Sequence, residues 1–395
     1  MHRAVSHITR RLRMTYEIEF KIQNGMHDCV QTPITIALER RGDFKSIRLI
    51  NLTNGSVVPC QWEEEGKTVL LSWIISGMPA EATHTYKAEF LDTQIQTDLP
   101  RVTLKEDEWK VEVEIAGEPF TAYNFNPELA RPYFYPLIGP YGKRVTRGYP
   151  MEDIPGERQD HPHHRSFYVA YGDVNGVDNW SEGKGHGWTI HRRFEKLISG
   201  PVYARIVALS DWMGPDKKSK IMEEIRDVRI YNVGPDRLLD MEVTFIATEG
   251  DVLFGDTKEG GIASIRVATS MDVPNGGKIE NSFGGINESE TWGKRAHWCD
   301  YSGLVEDKMV GIAIFDHPES FRHPTWWHVR NYGLMTANPF GLSYFYDDPN
   351  RRGDYTLKAG ERLKFKYRLY IHRGDAAFAR VSERYNNFVN PPKRI

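Results

Sequence analysis

Trp109-Lys-Val-Glu-Val-Glu-Ile115 sets an apolar side chain against a charged one at every second position. Successive side chains of a strand point to opposite faces, so a period of two marks a strand with one face in a core and one face wet. The same period runs outward in both directions. Upstream, Tyr16, Ile18, Phe20 and Ile22 alternate with polar residues, and apolar runs follow at 34–38, 46–50, 57–62, 68–73 and 85–90. Arg41-Gly-Asp43, Asn54-Gly55 and Glu65-Gly66 supply turns between them. Short strands at spacings near ten residues predict a β-sandwich of immunoglobulin-like size over 15–95. It carries no cluster of catalytic residue types, which suits a structural or docking module. Residues 93–100 read as a polar connector. Residues 1–14, with four arginines and no acid among the first thirteen, are expected to be a disordered extension ahead of a start at Met14.

Downstream, alternation continues through 120–125, and long apolar-patterned runs follow at 186–196, 202–209, 220–231 and 238–248. They exceed the usual strand of about five or six residues and predict a large, curved pair of sheets over 101–395. Runs at 309–315, 341–346 and 362–372 add later strands. Helix is expected only at the C-terminus. There Asp375 can cap a helix through Phe388 that buries Phe378, Val381, Tyr385 and Phe388.

The composition is that of an ordinary globular protein, with 40% hydrophobic and 27% charged residues. A net charge of -3 gives no general attraction to nucleic acid or acidic membranes. No run of eighteen apolar residues could span a bilayer. Cys29, Cys60 and Cys299 cannot all pair and lack metal-ligand spacing, which points to reduced thiols and a cytoplasmic protein.

Chemistry-bearing residues gather in five stretches of the second domain. They are Asp160-His-Pro-His-His-Arg165, the segment 172–186, Gly255-Asp-Thr-Lys-Glu-Gly-Gly261, the segment 287–301 and the segment 316–330. In extended backbone His161 and His163 would share a face and His164 would oppose them. The pair could bind a metal, transfer a proton, or only hold structure. Lys258-Glu259 offers an acid and a base beside two glycines that admit a ligand, or else a solvated hairpin turn. In 287–301 and 316–330, Trp292, Trp298, Tyr301 and Trp327 are interleaved with Lys294, Asp300, His328 and Arg330. Aromatic faces mixed with charge suit a sugar-binding wall. His317 and His323, each before a proline, suit turns. Asp173-Val-Asn-Gly-Val-Asp178 matches part of a calcium loop and lacks the remaining ligand spacing. No nucleophile elbow, phosphate loop or dinucleotide fingerprint is present.

Arg131-Pro-Tyr133, Asp160–Arg165, Gly172-Asp-Val-Asn-Gly176, Gly255–Gly260, Trp292-Gly-Lys294, Asp316-His-Pro318 and Trp327-His328 together resemble a soluble bacterial family labelled methane-oxygenase PmoA-like. The likeness runs over about residues 15–390. The activity in that label belongs to an integral membrane protein, and this chain has no span to place in a bilayer. The family is similar in architecture to galactose-mutarotase-like β-supersandwiches, and the resemblance implies carbohydrate chemistry on a concave sheet.

The expected fold is therefore all-β. An N-terminal immunoglobulin-like sandwich precedes a galactose-mutarotase-like β-supersandwich with one C-terminal helix. The expected function is acid/base chemistry on a glycoside or sugar derivative, as a lyase, hydrolase or epimerase, with no cofactor and no metal. His163 or His164 would move a proton, opposed by Lys258 with Glu259. Arg165, Lys294 and Arg330 would hold oxygens, and Trp292, Trp298 and Trp327 would stack on the ring. His161, Asp300, Tyr301 and His328 would complete the binding wall. Two alternatives stand beside it: a carbohydrate-binding protein without catalysis, and a metal-dependent enzyme built on His161 and His163. The partner is a sugar-derived small molecule, with neither nucleic acid nor membrane.

Overall fold

The structure, a computed structural model, describes residues 14–95 and 99–395. The expected extension before Met14 and residues 96–98 of the connector lie outside the described residues. The chain divides into two compact units: one ends at Leu99 and includes Asn390–Ile395, and the other is Pro100–Val389. The last six residues were expected to belong to the second domain. They group with the first because Lys393–Arg394 pairs with Met14–Gln23.

In the first unit, a five-stranded sheet runs in the order Lys393–Arg394, Met14–Gln23, Thr83–Leu91, Ser46–Asn51, Ser56–Val58. A three-stranded sheet of Cys29–Glu39, Thr68–Met78 and Cys60–Glu65 packs on it. Alternation decides the packing: Ile18, Phe20 and Ile22 meet Ile34, Ile36, Leu38, Val69, Leu71 and Trp73 in one core. Each large apolar side chain so buried contributes about 1.5–3 kcal/mol.

The second unit is a sandwich of two eight-stranded antiparallel sheets. The first runs Trp326–Val329, Leu334–Asn338, Gly260–Arg266, Phe167–Tyr171, Tyr133–Phe134, Glu118–Asn124, Lys110–Ile115, Val102–Glu106. The second runs Trp188–Ile198, Tyr203–Met213, Lys220–Tyr231, Arg237–Ile246, Arg362–Arg373, Lys308–Asp316, Trp298–Val305, Lys278–Asn281. Phe167, Val169, Ala263, Ile265, Met335, Ala337, Trp327 and Val329 of the first sheet pack on Ile206, Met241, Phe245, Phe365 and Leu369 of the second. The alternate residues of the first sheet's strands must then face away from this core. Tyr168, Ser264, Thr336 and His328 fall in one cross-strand row on that opposite face.

Two helical expectations are corrected. The C-terminal helix is Val381–Val389 and buries Val381, Tyr385 and Phe388. Asp375 accepts from the Phe378 amide at 2.9 Å, which caps only a turn, and Arg380 at φ +55° interrupts the backbone before the helix begins. Phe378 is left exposed. Residues 341–346, expected as a strand, form the one-turn helix Leu342–Phe345. The amides of Phe340 and Gly341 donate to Asn338 Oδ1 and turn the chain there.

Candidate functional site

The histidine loop precedes the strand Phe167–Tyr171. Its backbone is not extended: His161 and Ser166 have φ of +44° and +59°, and the His164 amide donates to the His161 carbonyl at 3.0 Å. That turn replaces the expected alternation. The rings of His161 and His164 lie parallel, 4.8 Å apart, and His163 stands nearly perpendicular to both.

Asp160 anchors this turn. Its Oδ1 accepts from Arg147 Nη1 and Arg266 Nη2, each at 2.7 Å, and lies 3.2 Å from His161 Nδ1. Burial would raise this carboxyl, but the Arg266 and Arg147 guanidiniums and His161 hold it below the usual carboxylate range. Both arginines are fully buried. Arg147 spends its remaining donors on the carbonyls of Tyr149, Arg158, Asp160 and His161. Arg266 turns Nη1 to His164 Nδ1 at 3.0 Å. Burial, then His163 and Arg266, pushes His164 well below an ordinary imidazole.

A second arginine pair supports the loop from behind. Glu182 accepts from Arg131 at 2.9 Å and from both Nε and Nη2 of Arg165. Arg131 also reaches the carbonyls of His163, Asn179 and Trp180. Arg165 is thereby committed to a carboxylate and to the Tyr133 ring. Burial and the Arg131 charge hold His163 down to about 4, so its imidazole is neutral at pH 7.

The neighbouring strands carry the facing groups. Tyr332, in the turn between Trp326–Val329 and Leu334–Asn338, stacks on His161 at 5.0 Å and lies under the Arg266 guanidinium at 4.7 Å. Arg330 sits over the same ring and pairs with Glu288 at 2.9 Å. Glu288 and Asn331 exchange bonds through each other's amides, which ties the helix Asn287–Thr291 to this turn. Trp292 follows that helix and meets His328 edge-on at 6.3 Å. His328 is buried, with Nδ1 lacking a partner among the described residues. Burial, then Arg330 and Lys258, holds it down to about 3.

Lys258 and Glu259 form an ion pair with each other. Asn338 Nδ2 donates to the carbonyls of Thr257 and Lys258 and fixes their turn. The turn also needs glycine at 172, where a Cβ would come 2.5 Å from the Glu259 carbonyl oxygen. The Lys258 charge acts on His328, and that of Glu259 on Tyr332. The structure thus links His161, His163, His164, Lys258, Glu259, Trp292, His328 and Arg330 into one neighbourhood.

It places five other expected residues elsewhere. Trp327 is fully buried in the core, with Nε1 donating to the Ala296 carbonyl, so it offers no face for a ring. Tyr301 is also core, with its hydroxyl on the Asn331 carbonyl. Trp298 and Asp300 alternate with core-facing Cys299 and Tyr301, so they point off the far face of the second sheet. Asp300 is sealed there against His372 Nε2 at 2.7 Å. Lys294 is exposed and lines a separate cleft of about 420 Å³ with Arg295, Phe345 and Tyr346. Among the described residues, no group of three or more His, Cys, Asp or Glu could hold a metal ion.

Sequence reasoning missed Arg266, Tyr332, Tyr168 and the role of Glu182. Arg266 carried a signal, as the one charge in the buried run Gly260–Arg266. Tyr168 has a fully buried hydroxyl without a partner among the described residues, but an aromatic in a strand reads as core.

The model of a family of unknown function, DUF6807, matches residues 110–386. No curated protein matches the chain. Among solved structures, the chain is similar to that of a protein in glycosyl hydrolase family 38 from Enterococcus faecalis, at 10% identity and a TM-score of 0.43. The match covers 95% of this chain and 47% of that one, so the chain spans about half that protein's length.

Proposed function

The chain belongs to DUF6807, a family of unknown function, so we propose its activity from the site itself: acid/base chemistry on a carbohydrate, as a lyase, hydrolase or epimerase of a glycoside or sugar derivative. One observation carries this reading. The loop Asp160–Arg165, the pair Lys258–Glu259, Arg330 with Glu288, and the aromatic rings of Tyr332 and Trp292 gather on the side of the first sheet opposite the main core, around a smaller buried cluster of Tyr133, Tyr135, Tyr168, Trp180 and Leu334. Neutral imidazoles, fixed guanidiniums and aromatic edges give a polyhydroxylated ring both hydrogen bonds and packing. His163 is the half-exposed imidazole of the loop and suits proton transfer. Glu259, with Lys258 beside it, is the opposing carboxylate. Arg330 holds ligand oxygens, and Trp292 and Tyr332 pack on the ring. The resemblance to PmoA-like and mutarotase-like proteins agrees with this assignment. Among the described residues no helix is long and apolar enough to cross a membrane. The three cysteines, Cys29, Cys60 and Cys299, form no disulfide, and reduced thiols suit a cytoplasmic setting.

Binding without turnover is the second reading. It is favoured by Lys258 and Glu259 being paired with each other. A mass-spectrometric product screen over a panel of glycosides and uronides separates the two. Turnover of a panel member that disappears in Glu259→Gln and His163→Ala, with thermal melting unchanged, supports the enzyme. Saturable binding with no product from any member supports the binding protein.

A further inference from the structure

We propose that Arg266 locks His164 as a neutral imidazole with its proton on Nε2, so that His164 serves as a fixed hydrogen-bond donor to a ligand oxygen and moves no proton itself. The proposal rests on the reading of this face as the ligand site, and it reassigns one of the two loop histidines, His163 and His164, expected to move a proton. A guanidinium has five N–H donors and no acceptor. Arg266 Nη1 lies 3.0 Å from His164 Nδ1, with both side chains buried. Nδ1 must therefore present its lone pair. A neutral imidazole carries one proton, which leaves it on Nε2.

The surroundings keep that assignment fixed. Arg266 cannot swing away: Nη2 is held by Asp160 at 2.7 Å, and the guanidinium packs on the Tyr332 ring. The groups acting on His164 are Arg266, Arg147, His161 and His163. Asp160, the acid of this cluster, is already shared by the two arginines. Protonating Nδ1 would set one N–H against another at hydrogen-bonding distance, beside two guanidiniums, Arg266 and Arg147, that share the single carboxylate of Asp160. The ring is also held in place by the parallel His161 ring and the edge of Trp180. Nε2 is the ring nitrogen with no partner among the described residues. A donor aligned in advance at low dielectric stabilises an oxygen that gains negative charge during reaction. Proton transfer then falls to His163 and Glu259, and Arg266 acts as a positioning residue.

The test is long-range ¹H–¹⁵N spectroscopy of the full chain with ¹⁵N-labelled histidine, without ligand, from pH 5 to 8. The expected spectrum shows His164 with unprotonated Nδ1 and protonated Nε2 throughout the range. Arg266→Lys, which keeps a donor, should preserve this tautomer. Arg266→Met should give a tautomer mixture or a titrating imidazole. A proton on Nδ1 or an imidazolium in the wild-type protein overturns the proposal, and so does an unchanged tautomer in Arg266→Met. If Arg266→Met does not fold, the wild-type spectrum still decides the tautomer. The role is then read from His164→Gln, which keeps a neutral donor. It should bind the best panel sugar within about tenfold of wild type, whereas His164→Ala should lose more than that. Equal loss in both variants overturns the donor role. If no panel sugar binds at all, the carbohydrate reading fails while the tautomer result stands on its own.

Discussion

Replacing Arg147 with methionine should unfasten the histidine loop while leaving the sandwich folded. Arg147 is fully buried and makes five hydrogen bonds to residues 149–161, one of them to the Asp160 carboxylate. Removing one partner of a buried ion pair costs about 3–5 kcal/mol. Here the lower end applies, because Asp160 is half-exposed and keeps Arg266, and the freed carbonyls lie in a loop that water can reach. A loss of about 3 kcal/mol corresponds to a fall of roughly 6 °C in Tm for a unit of this size. Urea midpoints give the magnitude. Hydrogen exchange locates it: amides of 149–165 should lose protection, and those of Tyr203–Met213 and Lys220–Tyr231 should keep theirs. A midpoint within about 0.5 kcal/mol of wild type, with loop protection unchanged, would refute the view that Arg147 holds this loop.

Three further outcomes are expected. His163 and His328 are held down to about 4 and about 3, so the folded protein keeps them neutral where the unfolded chain takes up protons. Their stabilisation is complete above about pH 6.5 and is lost as pH falls toward 4 for His163 and toward 3 for His328, about 2 kcal/mol each at pH 5; urea midpoints at pH 7.5 and 5 measure it, and His328→Asn should shrink the difference. Trp327→Phe should lower the unfolding midpoint by about 1–3 kcal/mol through lost packing and the lost bond to Ala296, with sugar affinity per folded molecule unchanged, as isothermal calorimetry can check. Asp300→Ala should cost about 1–3 kcal/mol by leaving His372 Nε2 buried without its hydrogen-bond partner, and because that pair lies off the far face, the site's ligand affinity should be indifferent to it.

The fold was legible because β-sandwiches are written in period two. Ile18-Glu-Phe-Lys-Ile22 and Val111-Glu-Val-Glu-Ile115 state which side is core, and the structure buries those apolar positions. Local turn chemistry was less legible. The φ of +44° at His161 and +55° at Arg380 arise from tertiary contacts, not from residue type, and they overrode both the histidine alternation and the helix start. In the site, charged residues in loops were found because charge is conspicuous in sequence. Trp298 and Trp327 were misassigned because an indole signals burial and ligand stacking equally well. Trp327 and Trp292 differ only in which face of which element they occupy, and that depends on the registers Trp327↔Ala337 and His328↔Thr336. Arg266 and Tyr332 escaped notice because their role appears only when strands distant in sequence lie side by side.

A crystal structure with the best-binding panel sugar tests the central claim most directly. The account predicts the sugar on the side of the first sheet opposite the main core, in contact with His163 or His164 and with Tyr332, and within reach of Arg330 and Glu259. A sugar seated instead in the cleft of about 670 Å³ beside Trp109, Phe125 and His191, with the histidine loop untouched, would contradict it.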